Sequence, residues 1–211
     1  MIFLGWLQEL VALIFEGRVN HYPLLQLIIF SLDKTLIYLG CYLLGRWLWL
    51  KYVKGQSFGQ TNWWRESLIF ISLAYALMLI HLTVLRYDWQ WWQLTWYVDR
   101  SWSDFHWLPL VDTVKLLDGD SRFSYWYNFF GNVLWFIPLG FLWPLFSKRR
   151  HLMFSTLTFG LAVSCLIEIL QFYFYTGVSH VDDIIFNCAG TVLGYLLYDL
   201  GQLVISYQKE H

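Results

Sequence analysis

The chain has 211 residues, 58% hydrophobic and 14% charged, with 14 Lys and Arg against 15 Asp and Glu. Soluble domains average about 45–50% apolar and about 25% charged. With a mean hydropathy of +0.45, the composition excludes a disordered chain, disfavours a soluble globular enzyme and points to an integral membrane protein.

A helix needs about 20 apolar residues to cross the hydrocarbon core. Residues 2–15 fall short of that length and are interrupted by Gln8 and Glu9. They are expected to form an interfacial or partly inserted helix, with a sixth span as the alternative. Five longer stretches qualify: Pro23–Leu50, interrupted by Asp33 and Lys34, then Ser67–Leu85, Tyr125–Phe146, Leu152–Tyr175 and Asp183–Ile205. Asp33 and Lys34 are either a self-satisfied pair or a sign that the first span runs near the surface. The expected fold is therefore all-α: a polytopic transmembrane helical bundle of five spans plus an N-terminal interfacial helix. No repeat and no Pro/Gly/Ser-rich linker divides residues 1–211, which read as a single membrane domain. Cys41, Cys165 and Cys188 all fall in apolar stretches without CxxC spacing, so neither a disulfide framework nor a zinc site is expected. The first basic residue, Arg18, follows the first apolar run, which lacks the positive start of a cleavable signal peptide.

Lys and Arg in short loops set orientation. Arg46, Lys51, Lys54 and Arg65 lie between the first two spans, and Lys148, Arg149 and Arg150 between the third and fourth. Both loops fall on one side, expected to be cytoplasmic together with the C-terminus. Residues 86–124 are then extracytoplasmic. They hold four basic and six acidic residues and six of the 14 Trp: Trp89, Trp91, Trp92, Trp96, Trp102 and Trp107. Such a segment is either an aromatic belt at the outer leaflet or a platform for an amphipathic ligand. Leu110, Val111, Val114 and Leu117 share one helical face after Pro109, which suits a short helix lying on the membrane.

Polar residues inside spans are costly and mark function by default. Asn128, Asn132 and Trp135 share a face of the third span. Ser164, Glu168, Gln171 and Tyr175 form a stripe on the fourth, and Asp183, Asn187, Gly190 and Gly194 one on the fifth. Gly190 and Gly194 make a GxxxG unit that permits close helix approach. The expected topology brings the three stripes to one depth, as an outward-opening polar cavity or an interhelical hydrogen-bond network. Ser179 with Asp182 three residues on resembles a capping box. Glu168, His180, Asp182, Asp183 and Asn187 offer ligands for Mg²⁺ or Ca²⁺ but match no metal signature, so neither metal nor other cofactor is expected. Ser164 lacks a GxSxG setting. No phosphate-cradling loop or dinucleotide fingerprint is present, and the near-zero net charge offers no nucleic-acid surface.

Three ordered elements carry a resemblance. The run Asn128-Phe-Phe-Gly131-Asn132-Val-Leu-Trp-Phe136-Ile-Pro138-Leu-Gly140 resembles the Gly-Asn…Phe-x-Pro-x-Gly pattern of the VanZ-like family. Glu168-Ile-Leu-Gln171 is similar to its Glu-x-x-Gln element. Asp182-Asp183-Ile-Ile-Phe-Asn187-Cys-Ala-Gly190 is similar to its Asp-Asp-x-x-x-Asn-x-x-Gly element. The similarity places a three-helix core at residues 125–206. Residues 106–110 resemble a degraded version of the family's upstream Asn-Leu-x-Pro-Phe element, with His106 in the Asn position and Leu110 in the Phe position. Many members carry an Arg just before the Asp pair, where this chain has Val178. Arg86, Arg100 and Arg122 are the candidate replacements.

The resemblance implies a bacterial cytoplasmic membrane protein of the kind named for resistance to teicoplanin, a lipidated glycopeptide antibiotic. Beside the lipid bilayer, the expected partner is an amphipathic molecule at the outer leaflet, such as a lipoglycopeptide or a lipid-linked wall precursor. Asn128, Asn132, Glu168, Gln171, Asp182, Asp183 and Asn187 are the expected ligand-binding residues. The alternative is an intramembrane enzyme acting on a lipid head group or polyprenyl-linked precursor. Glu168 would be its general acid or base and Asp183 would position the substrate. A transporter is a weaker third reading, since no internal repeat or broken-helix pair is present.

Overall fold

The computed structural model describes residues 1–17, 22–55, 61–86, 93–111, 114, 122–147 and 151–210, with the side chains of 122–128 and 210 outside the described set. Among the described residues there are six α-helices and no strand. Five of them are long and apolar enough to cross a membrane: Tyr22–Val53, Trp63–Thr83, Phe129–Phe146, Leu152–Phe174 and Val181–Lys209. The chain divides into two compact units, Met1–Leu94 and Thr95–His211.

The first unit comprises α1 (Gly5–Phe15), α2 (Tyr22–Leu48), which runs on as a π-helical turn over Trp49–Val53, and α3 (Trp63–Thr83). Gly17, at φ 70°, stops α1 in a conformation that strains any other residue. The backbone N–H groups of Ile2, Phe3 and Leu4 each donate to the Asp33 carboxylate at 2.7 Å. Asp33 lies about three turns into α2 and is 2% exposed. The start of α1 is thus tied to the middle of α2. Asp33 bonds to backbone donors, an arrangement neither sequence-based alternative contained. α3 begins at Trp63, ahead of the apolar stretch expected from about Ser67, where Asn62 caps it by accepting from the Arg65 N–H at 3.2 Å. His81 on α3 donates through Nδ1 to the Leu77 carbonyl at 2.8 Å and stacks on Tyr38 of α2.

The second unit holds α4 (Arg122–Phe146), α5 (Leu152–Phe174) and α6 (Val181–Glu210), with the segment from Thr95 to Val111 folded against them. The solvent logic is inverted relative to a soluble bundle. Ser164, Thr191 and Glu168 are buried, while Leu196, Leu200, Leu203 and Val204 of α6 stand exposed. That distribution suits helices whose outer faces meet hydrocarbon. After Pro109, the Val114 N–H donates to the Leu110 carbonyl at 2.9 Å, one turn of the expected surface helix. The rest of that helix, including Leu117, lies outside the described residues, as do Trp89, Trp91 and Trp92.

Candidate functional site

The site rests on a glycine mesh between α4, α5 and α6. A Cβ added at Gly190 would run into the Val133 carbonyl, and one at Gly194 into the Ile137 carbonyl of α4. From the other side, a Cβ at Gly140 would strike the Thr191 carbonyl, and one at Gly160 of α5 the Thr191 side chain. The expected GxxxG contact is therefore made, with Gly140 as its counterpart on the partner helix. Small residues let backbones approach where no hydrophobic effect drives helices together. Trp143 adds a tie between α4 and α5: its indole N–H donates to Ser155 Oγ at 3.1 Å, and its ring stacks on Phe159.

At one end of this mesh, polar groups join three helices and a loop. Glu168 of α5 is 2% exposed, and its Oε2 accepts the His180 N–H at 3.1 Å. His180 immediately precedes α6, so the carboxylate sits at that helix's positive end. Ser179 Oγ donates to the Glu168 carbonyl at 2.9 Å. The capping box expected from Ser179 and Asp182 is not made. Ser179 is spent on α5, and the acid that takes the N–H at the start of α6 comes from the neighbouring helix. Asp182 reaches away from its own helix and accepts the Leu110 N–H at 2.5 Å. The His106 N–H donates to the Ser179 carbonyl, and the Val181 N–H to the His106 carbonyl, both at 3.1 Å. These bonds form a parallel bridge between His106 and His180, whose rings lie 4.3 Å apart.

Deeper along α6, Asp183 Oδ1 accepts from Asn132 Nδ2 of α4 at 2.6 Å; both residues are half-buried. One turn on, Asn187 Nδ2 donates to Ser164 Oγ of α5 at 2.9 Å. Its Oδ1 is buried without a hydrogen-bond donor among the described residues. Thr191 continues the line by donating to the Asn187 carbonyl at 2.9 Å. Gln171 is 4% exposed, and its amide lies 3.1 Å from where a Cβ on Gly177 would stand, so the turn leaves room for it. Of the expected ligand-binding residues, Asn132, Glu168, Gln171, Asp182, Asp183 and Asn187 line this helix junction. The Asn128 side chain lies outside the described residues. Among the described residues, no group of three His, Cys, Asp or Glu is placed to hold a metal ion.

The aromatic segment packs on the end of α5. The Tyr97 N–H donates to the Tyr173 carbonyl at 2.9 Å. Trp102 stacks on Phe172, with ring centres 4.9 Å apart, and Trp96 lies against Phe174. Arg100 is the residue that sequence reasoning misplaced. As a candidate partner of the acids it would face α6. Instead its guanidinium lies 4.5 Å from the ring centres of both Phe172 and Tyr175. It donates to the Phe172 carbonyl at 2.8 Å and approaches Asp104 at 3.5 Å. A cation is well placed there, at the negative end of α5, and Tyr175 reaches it by ending α5 at φ 57°. Trp96, Tyr97, Asp99, Asp104 and Tyr175 border a cleft of about 530 Å³ beside Arg100. Arg86 donates to the Leu82 and Thr83 carbonyls, and the Arg122 side chain lies outside the described residues.

The sequence pattern of the VanZ/LLP1 family matches residues 70–202, well over half of the chain. This chain belongs to the VanZ/LLP1 family. A similar protein, "Protein VanZ" of Enterococcus faecium, is 35% identical over 78 residues, 37% of this chain and 48% of that relative. The chain thus spans about half the length of the curated relative it matches. No solved structure matches. In this VanZ/LLP1 member all three family elements meet at one end of the α4–α6 unit. The weak upstream element, His106 to Leu110, joins them through its backbone at Ser179, Val181 and Asp182.

Proposed function

We propose that this VanZ/LLP1 protein acts in the bacterial cytoplasmic membrane by binding an amphipathic ligand at the outer leaflet. The ligand class is a lipidated glycopeptide of the teicoplanin kind or a lipid-linked wall precursor, and binding contributes to resistance against such antibiotics. One observation carries the reading. The half-buried Asn132–Asp183 pair and the aromatic cleft beside Tyr175 lie at the same end of one helix trio. A carboxylate–carboxamide pair exchanges hydrogen bonds readily with a peptide or sugar, and exposed Trp96 and Trp102 suit an acyl chain at the membrane surface. The Lys and Arg pattern of the connecting loops supports an outward-facing site with residues 86–124 extracytoplasmic and the C-terminus cytoplasmic.

The enzyme alternative needs Glu168 to reach a substrate. Its burial and its bond to the His180 N–H favour an anchoring role. Binding of a lipoglycopeptide to the full chain in detergent tests the proposal. Asp183→Asn weakens binding about tenfold, the cost of a lost charge-assisted hydrogen bond, with the fold retained. Unchanged affinity in both Asp183→Asn and Trp102→Ala would overturn the ligand site. Turnover of a polyprenyl phosphate that vanishes in Glu168→Gln would restore the enzyme.

A further inference from the structure

A second cavity lies in the first unit, where α2 ends and α3 begins, far along the sequence from the family elements. Its volume is about 350 Å³, at the lower end of ligand pockets, which span about 300–1,000 Å³. Two helical stripes build it: Arg46, Trp47, Leu50 and Lys51 on one side, Trp63, Glu66 and Phe70 on the other. The spacing of three and four residues puts each set on one face. The α2 side passes into the π-helical turn Trp49–Val53, a geometry often found at functional sites.

The charges of this cavity are sorted. Arg46 Nε donates to Glu66 Oε2 at 2.8 Å, and its terminal nitrogen to Glu66 Oε1 at 2.6 Å. That bidentate pair neutralises both groups. Lys51 is different. Its ammonium lies 5.0 Å from the ring centres of Trp47 and Tyr52, and no carboxylate pairs with it among the described residues. Between positions 46 and 66 the chain carries Arg46, Lys51, Lys54 and Arg65 against Glu66 alone. The cavity therefore offers apolar aromatic walls, a neutralised ion pair and a cation held at the edge by two rings.

We propose that this cavity binds an anionic phospholipid, with Lys51 on the phosphate and the acyl carbons against Trp47, Trp63 and Phe70. The aromatic walls suit the acyl and glycerol part, because Trp favours the boundary between hydrocarbon and head groups. With Arg46 neutralised by Glu66, Lys51 is the cation of the cavity wall that selects a net negative head group over a zwitterionic one. The site is independent of the ligand reading for the second unit.

Native mass spectrometry of the full chain in detergent, with phosphatidylglycerol or phosphatidylcholine of matched acyl chains, tests this. The wild type retains the anionic lipid over the zwitterionic one by about fivefold, as one well-placed cation provides. Lys51→Gln abolishes the preference, Lys51→Arg keeps it, and Leu50→Trp, which fills the cavity, lowers retention of the anionic lipid. Lys54→Gln, a neighbouring lysine outside the cavity wall, leaves the preference in place. Equal retention of the two lipids by the wild type would overturn the site. So would a preference that survives in Lys51→Gln, or one lost equally in Lys54→Gln, since that marks diffuse attraction to a basic surface.

Discussion

The two units hold their helices together by different means. In the second, backbones mesh: Gly140, Gly160, Gly190 and Gly194 each face atoms of a neighbouring helix that leave no room for a Cβ. In the first, Gly40 and Gly45 of α2 face open space, and side chains make the ties: Asp33 to three backbone N–H groups, Arg46 to Glu66, and Tyr38 stacked on His81. A glycine in a membrane helix is thus no marker of contact by itself. It becomes one where the opposite helix presents backbone at the same level, as the Val133 and Ile137 carbonyls do here. The family elements lie in the meshed unit, where local sequence dictates the neighbour.

The strongest way to break this comparison is to add a side chain in each unit. Gly190→Val is expected to destabilise the second unit by about 3 kcal/mol through overpacking against a carbonyl, read as a lower melting temperature in detergent. Gly40→Ala and Gly45→Ala are expected to be neutral, or stabilising by up to about 1 kcal/mol, from helix propensity alone. Equal losses at Gly40 and Gly190 would erase the distinction.

Next in size is the anchor of α1. Asp33→Ala leaves three backbone donors without their acceptor and is expected to cost about 2 kcal/mol. Hydrogen exchange at residues 2–4 should speed up while exchange in the second unit stays as it was. Protection that persists at Ile2–Leu4 would show that another group holds α1 in place.

The smallest effect sharpens the polar seam of the second unit. A double-mutant cycle of Asn132→Ala and Asp183→Ala should yield a coupling of about 0.6–1.7 kcal/mol, the range of interhelical hydrogen bonds in membranes. Additive single mutants would mean that the mesh alone sets the position of Asp183.

Much of this molecule was legible in its residues, and the exceptions share a cause. Hydropathy placed all five long helices, and the spacing of Asn132, Glu168, Asp183, Asn187 and Gly190 placed their stripes on facing surfaces. The misreadings all involve backbone groups as partners. Asp33 with Lys34 reads as either a self-satisfied pair or a sign of a span near the surface, but the partners of Asp33 are N–H groups about 30 positions away, which nearly every residue carries and no pattern reveals. The start of α6 looked self-capped through Ser179 and Asp182, but a folded turn brings Glu168 from another helix. Arg100 was one of three candidate partners for the acids, and the Phe172 carbonyl and two aromatic faces claimed it. His106 and Leu110 contribute N–H and carbonyl groups, which any non-proline residue at those positions would also carry.

Thr191 is fully buried and touches the glycine notches of two helices at once. A tooth engaged in two racks fixes the travel of both. α6 cannot slide along α4 or rotate against α5 without driving Thr191 out of the gap at Gly140 or at Gly160. Sliding of one packed helix past another is the usual small-amplitude route to a gate, and the close fit of Thr191 against Gly140 and Gly160 opposes it here. The segment from Thr95 to Val111 and the turn from Tyr175 to His180 carry no such tooth; hydrogen bonds and ring contacts hold them.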